Sequence, residues 1–189
     1  MPVIFTDLSR YTIGHQYLLN RKIRTIDNNA LRFHPNLAHP TDKKYYPTLV
    51  AKISDLHGKM VAIQRIFLDS DVIRNGGYKF PLKPTKPQLG KSGNSAVKFG
   101  QFGHGVLGIA EGVESALTLH QELQIPVWAC LGSSNFSNIQ LPPLEIVDTI
   151  KLFPDGDKAG LKALIKASKH YRQQGYKVID CQSPYMDKD

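Results

Sequence analysis

The chain has 189 residues, of which 41% are hydrophobic and 21% charged, with a formal net charge of +8 at pH 7. This length and apolar content support one or two globular units with a sizeable core and exclude a disordered chain. No apolar run reaches the roughly 18 to 20 residues of a membrane span, no charged segment leads into an apolar signal core, and two cysteines are too few for a disulfide framework or a four-cysteine zinc ribbon, so a cytoplasmic location is the default expectation.

In chain order, residues 1–105 read as a smaller unit of mixed α and β character. Ile13, Tyr17 and Leu18 give residues 13–22 a helical spacing. The apolar runs 48–53 and 60–68 flank Ser54-Asp55-Leu56-His57-Gly58-Lys59, a hairpin turn by its composition. Lys79, Lys83, Lys86, Lys91 and Lys98 then alternate with Pro81, Pro84, Pro87, Gly90 and Gly93, which fits an exposed basic arm and a plain solvated loop equally well.

From residue 106 the pattern tightens into strand-length apolar runs at 106–110, 126–131, 149–153 and 176–181. Ala116, Leu119, His120 and Leu123 follow the first run at helical spacing. Leu161, Leu164, Ile165 and Ser168 follow the third, with Lys158, Lys162, Lys166 and Lys169 on the opposite face. Strands alternating with helices predict right-handed crossovers and an α/β fold: a parallel sheet flanked by helices over residues 106–189. Cys130 and Cys181 fall in predicted strands and read as small core residues.

Two acidic clusters stand where a strand gives way to a helix: Glu111-Gly112-Val113-Glu114 and Asp155-Gly156-Asp157. The carboxyl ends of neighbouring parallel strands lie side by side, so both clusters are expected at one sheet edge. Acids gathered there suit a divalent cation facing phosphate oxygens. Each cluster also has a plainer reading, Glu114 complementing a helix dipole and Asp157 serving as an N-cap. Two acid-glycine clusters in the same structural context are harder to explain by capping alone.

These strings resemble the Toprim domain of primases, topoisomerases, nucleases and recombination proteins. Glu111-Gly112-Val113-Glu114-Ser115-Ala116-Leu117 and Asp155-Gly156-Asp157-Lys158-Ala159-Gly160 are most similar to the plasmid, phage and bacterial primase branch. The resemblance implies that Glu111 is the general acid or base and that Asp155 and Asp157 bind Mg²⁺ or Mn²⁺. Glu114 is an additional acid counted among the metal ligands, and Ser115 stands where many replicative primases place an aspartate. A third acidic position after the last strand would fall to Asp187 or Asp189.

The resemblance further implies an amino-terminal subdomain lining a basic groove, with Arg65, Lys91 and Lys98 as phosphate contacts. Its partners would be single-stranded DNA, nucleoside triphosphates, and a zinc-binding module or helicase in the same or another chain. The expected activity is nucleotidyl transfer that makes RNA primers, in a fragment of a mobile-element or bacterial primase. A Toprim nuclease and a non-catalytic nucleic-acid-binding module are the alternatives.

Several other motifs fail on context. Gly103-His104-Gly105-Val106-Leu107-Gly108 leads into a strand rather than out of one. Gly90-Lys91-Ser92 lacks the leading glycine of a P-loop, since residue 85 is threonine. His34 and His39 have no complementary ligand motif. Gly132-Ser133-Ser134 lacks the second glycine of a hydrolase elbow, so residues 132–138 read as a loop offering backbone amides near the acids.

Overall fold

The computed structural model describes residues 6–8, 11–103 and 105–181. The chain divides into two units, Met1–Ile53 with Met60–Lys91, and Ser54–Lys59 with Ser92–Asp189. The turn 54–59 therefore groups with the second unit, although the strands on either side of it belong largely to the first.

In the first unit, helix α1 (Ile13–Asn20) begins because the Thr12 hydroxyl accepts a hydrogen bond from the His15 amide at 3.2 Å. It ends two residues before the predicted limit, where Lys22 adopts a left-handed conformation (φ 62°). Strands β1 (Leu31–Ala38), β2 (Tyr45–Ser54), β3 (Met60–Phe67) and β4 (Gln88–Gly90) form a sheet in that order. Pro35 cannot donate to the ladder, and the β1–β2 register shifts between His34 and Leu37 to accommodate it. The short helix α2 (Ser70–Arg74) follows β3, capped by Asp69.

The hairpin turn forms as its composition predicts. Asp55 Oδ1 accepts from the His57 and Lys59 amides, both at 3.0 Å, and Gly58 supplies a positive φ of 83°. His39 is fully buried in a cluster with Tyr46, Phe67 and Phe80, and its Nε2 lies 3.1 Å from the Pro84 carbonyl.

The second unit is an α/β layer structure. Strands β5 (Val97–Phe99), β6 (Gly105–Ala110), β7 (Val127–Ala129), β8 (Val147–Phe153) and β9 (Lys177–Asp180) form one sheet in the order β5-β7-β6-β8-β9. The pairs β6–β7, β6–β8 and β8–β9 are parallel, and β5 is an antiparallel edge. Helix α3 (Val113–Leu123) links β6 to β7, and α4 (Lys158–Gln173) links β8 to β9.

The core of this unit includes Leu107, Ile109, Trp128, Ile150, Leu152, Leu164 and Tyr171. Each aliphatic side chain buried there contributes roughly 1.5–3 kcal/mol. The Tyr171 hydroxyl is satisfied by donating to the Phe136 carbonyl at 2.9 Å. All four lysines of α4 face solvent as the sequence implies, but Ile165, placed on the apolar face, is 64% exposed. In α3 the buried face runs through Val113, Ala116 and Leu117, whereas Leu123 is 42% exposed. The apolar stripe is thus rotated toward the amino-terminal turn, next to the strand ends.

Candidate active site

Strand β6 has β7 on one side and β8 on the other, so the chain leaves β6 in one direction and later returns to its opposite flank. A crevice outside the carboxyl ends of such strands is where open α/β sheets place ligands. The register pairs Ala110 with Phe153, which puts Glu111 one residue and Asp155 two residues beyond the last paired positions.

Glu111 Oε1 accepts a hydrogen bond from the Asp155 amide at 3.1 Å. The Glu111 carbonyl accepts from the amides of Leu131 (2.8 Å) and Gly132 (3.3 Å). Its backbone is thereby tied to the segment after β7 and its side chain to the segment after β8. Gly160 makes this closeness possible: a Cβ there would lie 2.9 Å from Glu111 Oε1 and would collide with the Asp155 carbonyl.

Glu111 is only 7% exposed. Burial raises its pKa above the ordinary value, the Asp155 amide opposes that shift, and the charges of Asp155 and Asp157 add to it. The buried Cys130 thiol, which feels the Glu111 charge, is pushed up to about 12 chiefly by burial and stays neutral. Cys130 is thus the core residue the sequence implies, while Cys181 is only half-buried.

Asp155 and Asp157 are both exposed. Asp157 caps α4, its Oδ1 accepting from the Gly160 amide at 2.7 Å, as the capping reading requires. Glu114 lies in the first turn of α3, where its charge complements the helix dipole, and it is 3% exposed. Ser115 points to solvent. Asp187 lies outside the described residues.

Glu111 therefore meets the Asp155 backbone directly, and the charges of Asp155 and Asp157 are near enough to perturb it. Among the described residues no three His, Cys, Asp or Glu side chains stand as a ready metal cage. The donor set is nonetheless of hard carboxylate oxygens. Mg²⁺ is commonly held by one or two carboxylates, with water and substrate phosphates completing its shell. The residues present fit such an ion.

The predicted phosphate contacts are spread over both units. In the first, Arg65 is partly buried on β3, its guanidinium 5.9 Å from the Phe67 ring and its buried Nε without a hydrogen-bond partner. Lys91 is exposed after β4. In the second, Lys98 donates to the Asp55 carbonyl at 2.5 Å and lies 4.2 Å from the Trp128 ring centroid.

Residues 132–138 hold a 3-10 turn at Ser133–Asn135. The amides of Gly132, Asn135, Phe136 and Asn138 are engaged within the protein, which limits what that segment can offer a substrate. The holding role of Leu131 left no separate sequence signal and follows from strand register, whereas Gly160 stood within the acidic string, where a Cβ would meet the Asp155 carbonyl first.

Residues 7–99 match a domain of unknown function (DUF7146), and residues 106–184 match the Toprim domain. No curated protein matches the sequence. Solved structures share the fold along nearly the whole chain. A DNA primase domain from Pseudomonas aeruginosa is 17% identical over 95% of this chain and 66% of its own, with a TM-score of 0.60. The primase fragment of the bacteriophage T7 primase-helicase protein is 18% identical over 97% of this chain and 67% of its own, with a TM-score of 0.57. The Aquifex aeolicus primase, comprising zinc-binding and RNA polymerase domains, is 17% identical over 95% and 52%, with a TM-score of 0.59. The chain thus spans about two thirds or less of the length of these three primase structures.

Proposed function

We propose that this Toprim-domain protein, whose fold is that of primase catalytic cores, makes RNA primers on single-stranded DNA by metal-dependent nucleotidyl transfer. The observation that carries the reading is the hydrogen bond between Glu111 and the Asp155 amide at the crevice where β6 and β8 end. It brings the two acidic clusters together at the position where this class of sheet binds its ligands.

In this reading Asp155 and Asp157 hold Mg²⁺ or Mn²⁺, with Glu114 and Asp187 as further acids of the site. The ion, when bound, neutralises charge on the triphosphate. A primer 3′-hydroxyl attacks the α-phosphorus, the bond to the pyrophosphate leaving group breaks, and the hydroxyl proton passes to a carboxylate. Glu111 Oε2 is the acceptor, because Oε1 is occupied by the Asp155 amide. Fixing Glu111 through both its carbonyl and its side chain keeps that acceptor in one place.

Arg65 and Lys91 supply phosphate contacts along the strand. In the second unit Lys98, anchored on the Asp55 carbonyl, supplies a further phosphate contact. A zinc-binding module or a helicase, in the same or another chain, selects the template.

The test combines single-stranded DNA, ribonucleotides and Mg²⁺ or Mn²⁺, and follows both new oligonucleotides and the length of the template. New primers that fall at least 100-fold for Asp155→Ala and for Glu111→Gln support primer synthesis. Metal-dependent shortening of the template instead identifies a nuclease. Salt-sensitive DNA binding with neither product identifies a non-catalytic module.

A further inference from the structure

A cleft in the first unit has no part in the chemistry above. It has a volume of about 280 Å³, near the lower end of ligand pockets, and its lining includes Tyr17, Arg21, Phe67, Tyr78, Lys79 and Lys86. Phe67 is buried, whereas Tyr78 remains 45% exposed. The Arg21 guanidinium lies 4.4 Å from the Tyr78 ring centroid and 5.7 Å from that of Tyr17. Among the described residues no carboxylate pairs with Arg21 or Lys79.

Aromatic rings beside Arg21 and Lys79, two cations without a carboxylate partner among the described residues, constrain the ligand from two sides. An apolar guest would desolvate Arg21 without neutralising it, which is unfavourable. A bare phosphate would need the cations but not an exposed tyrosine beside a guanidinium plane. Arginine-aromatic pairs do provide surfaces on which a planar base stacks while nearby cations meet its phosphates.

We propose that this cleft binds a single nucleoside phosphate, its base against the Tyr78–Arg21 pair and its phosphates facing Lys79 and Lys86. The unit is supplied either as a free nucleotide or as the phosphorylated end of a strand. Binding here needs neither Glu111 nor a metal ion, so it stands or falls separately from primer synthesis.

The test titrates the full chain, at low salt with a chelator present, with ATP, inorganic triphosphate, and a 5′-phosphorylated oligothymidylate. At least one of the two base-carrying probes binds more tightly than triphosphate, and the tighter of them identifies the source. Arg21→Gln and Tyr78→Leu each weaken that binding roughly five- to tenfold, the loss expected for one stacked cation or base contact. Lys166→Gln, the same loss of charge on exposed α4 of the other unit, changes it less than twofold. Melting temperatures within a few degrees of the parent confirm that both cleft variants are folded. Triphosphate binding at least as tightly as both base-carrying probes, or Arg21→Gln having no more effect than Lys166→Gln, overturns the proposal.

Discussion

Glu111 keeps its position against its own ionisation. Its ordinary pKa of 4.5 is raised first by burial and then by the charges of Asp155 and Asp157. Between the unfolded and the raised folded value the native protein holds more protons than the unfolded chain, so this group makes stability fall as pH climbs through that window. The loss persists at neutral pH and vanishes well below 4.5. In chelator-containing buffer at pH 7, Glu111→Gln should therefore gain on the order of 0.5–1 kcal/mol, about 2 °C in melting temperature. The amide retains a carbonyl oxygen for the Asp155 N–H, so the fold is not the variable. Near pH 4 the two proteins should melt together; a variant no more stable than the parent at pH 7 removes the electrostatic account.

Helix α4 shows how one element can serve structure and chemistry at once. Capping and metal binding were rival readings of Asp157 at the level of sequence, yet its Oδ1 meets the Gly160 amide while Oδ2 is left for another partner. Asp157→Asn should keep the cap and the melting temperature but lose metal-dependent activity. Asp157→Ala should lose both, with about 1 kcal/mol of stability gone. Thermal melts alongside primer assays separate the two; equal destabilisation by Asn and Ala would show that charge, not capping geometry, matters at this helix end.

The same helix and its neighbours show what was legible beforehand. The run that became β6 was visible because a parallel strand buried on both faces reads as a continuous apolar segment, and β8 through its buried Ile150 and Leu152. The amphipathic α4 was visible through its lysines. Strands β4, β5 and β7 have three residues each, too few for any period to register, and β7 emerged only because its apolar flanks extended the run. Strand β1 was hidden by Pro35, and the five-residue α2 is scarcely longer than one turn. At the site the acids were legible as residue types in context. The bond from the Asp155 amide to Glu111 depends on how β6 and β8 align, which no local pattern encodes, whereas Gly160 was legible as the last residue of the acidic string.

For the whole molecule, the net charge of +8 sets how it meets a polyanion. Each phosphate neutralised by Lys or Arg releases condensed counter-ions, and for single strands the logarithm of affinity falls by about 0.7 per contact for each decade of salt. With about four phosphate contacts, raising salt from roughly 50 to 200 mM should weaken binding to single-stranded DNA roughly 50-fold. Arg65→Gln and Lys91→Gln should each flatten that slope by about 0.7 and weaken binding to different sequences alike, since phosphate contacts carry no base information. Fluorescence anisotropy over a salt series measures the slope directly. A slope near zero, or one that Arg65→Gln and Lys91→Gln leave untouched, would mean that the excess positive charge serves solubility and that the strand is gripped elsewhere.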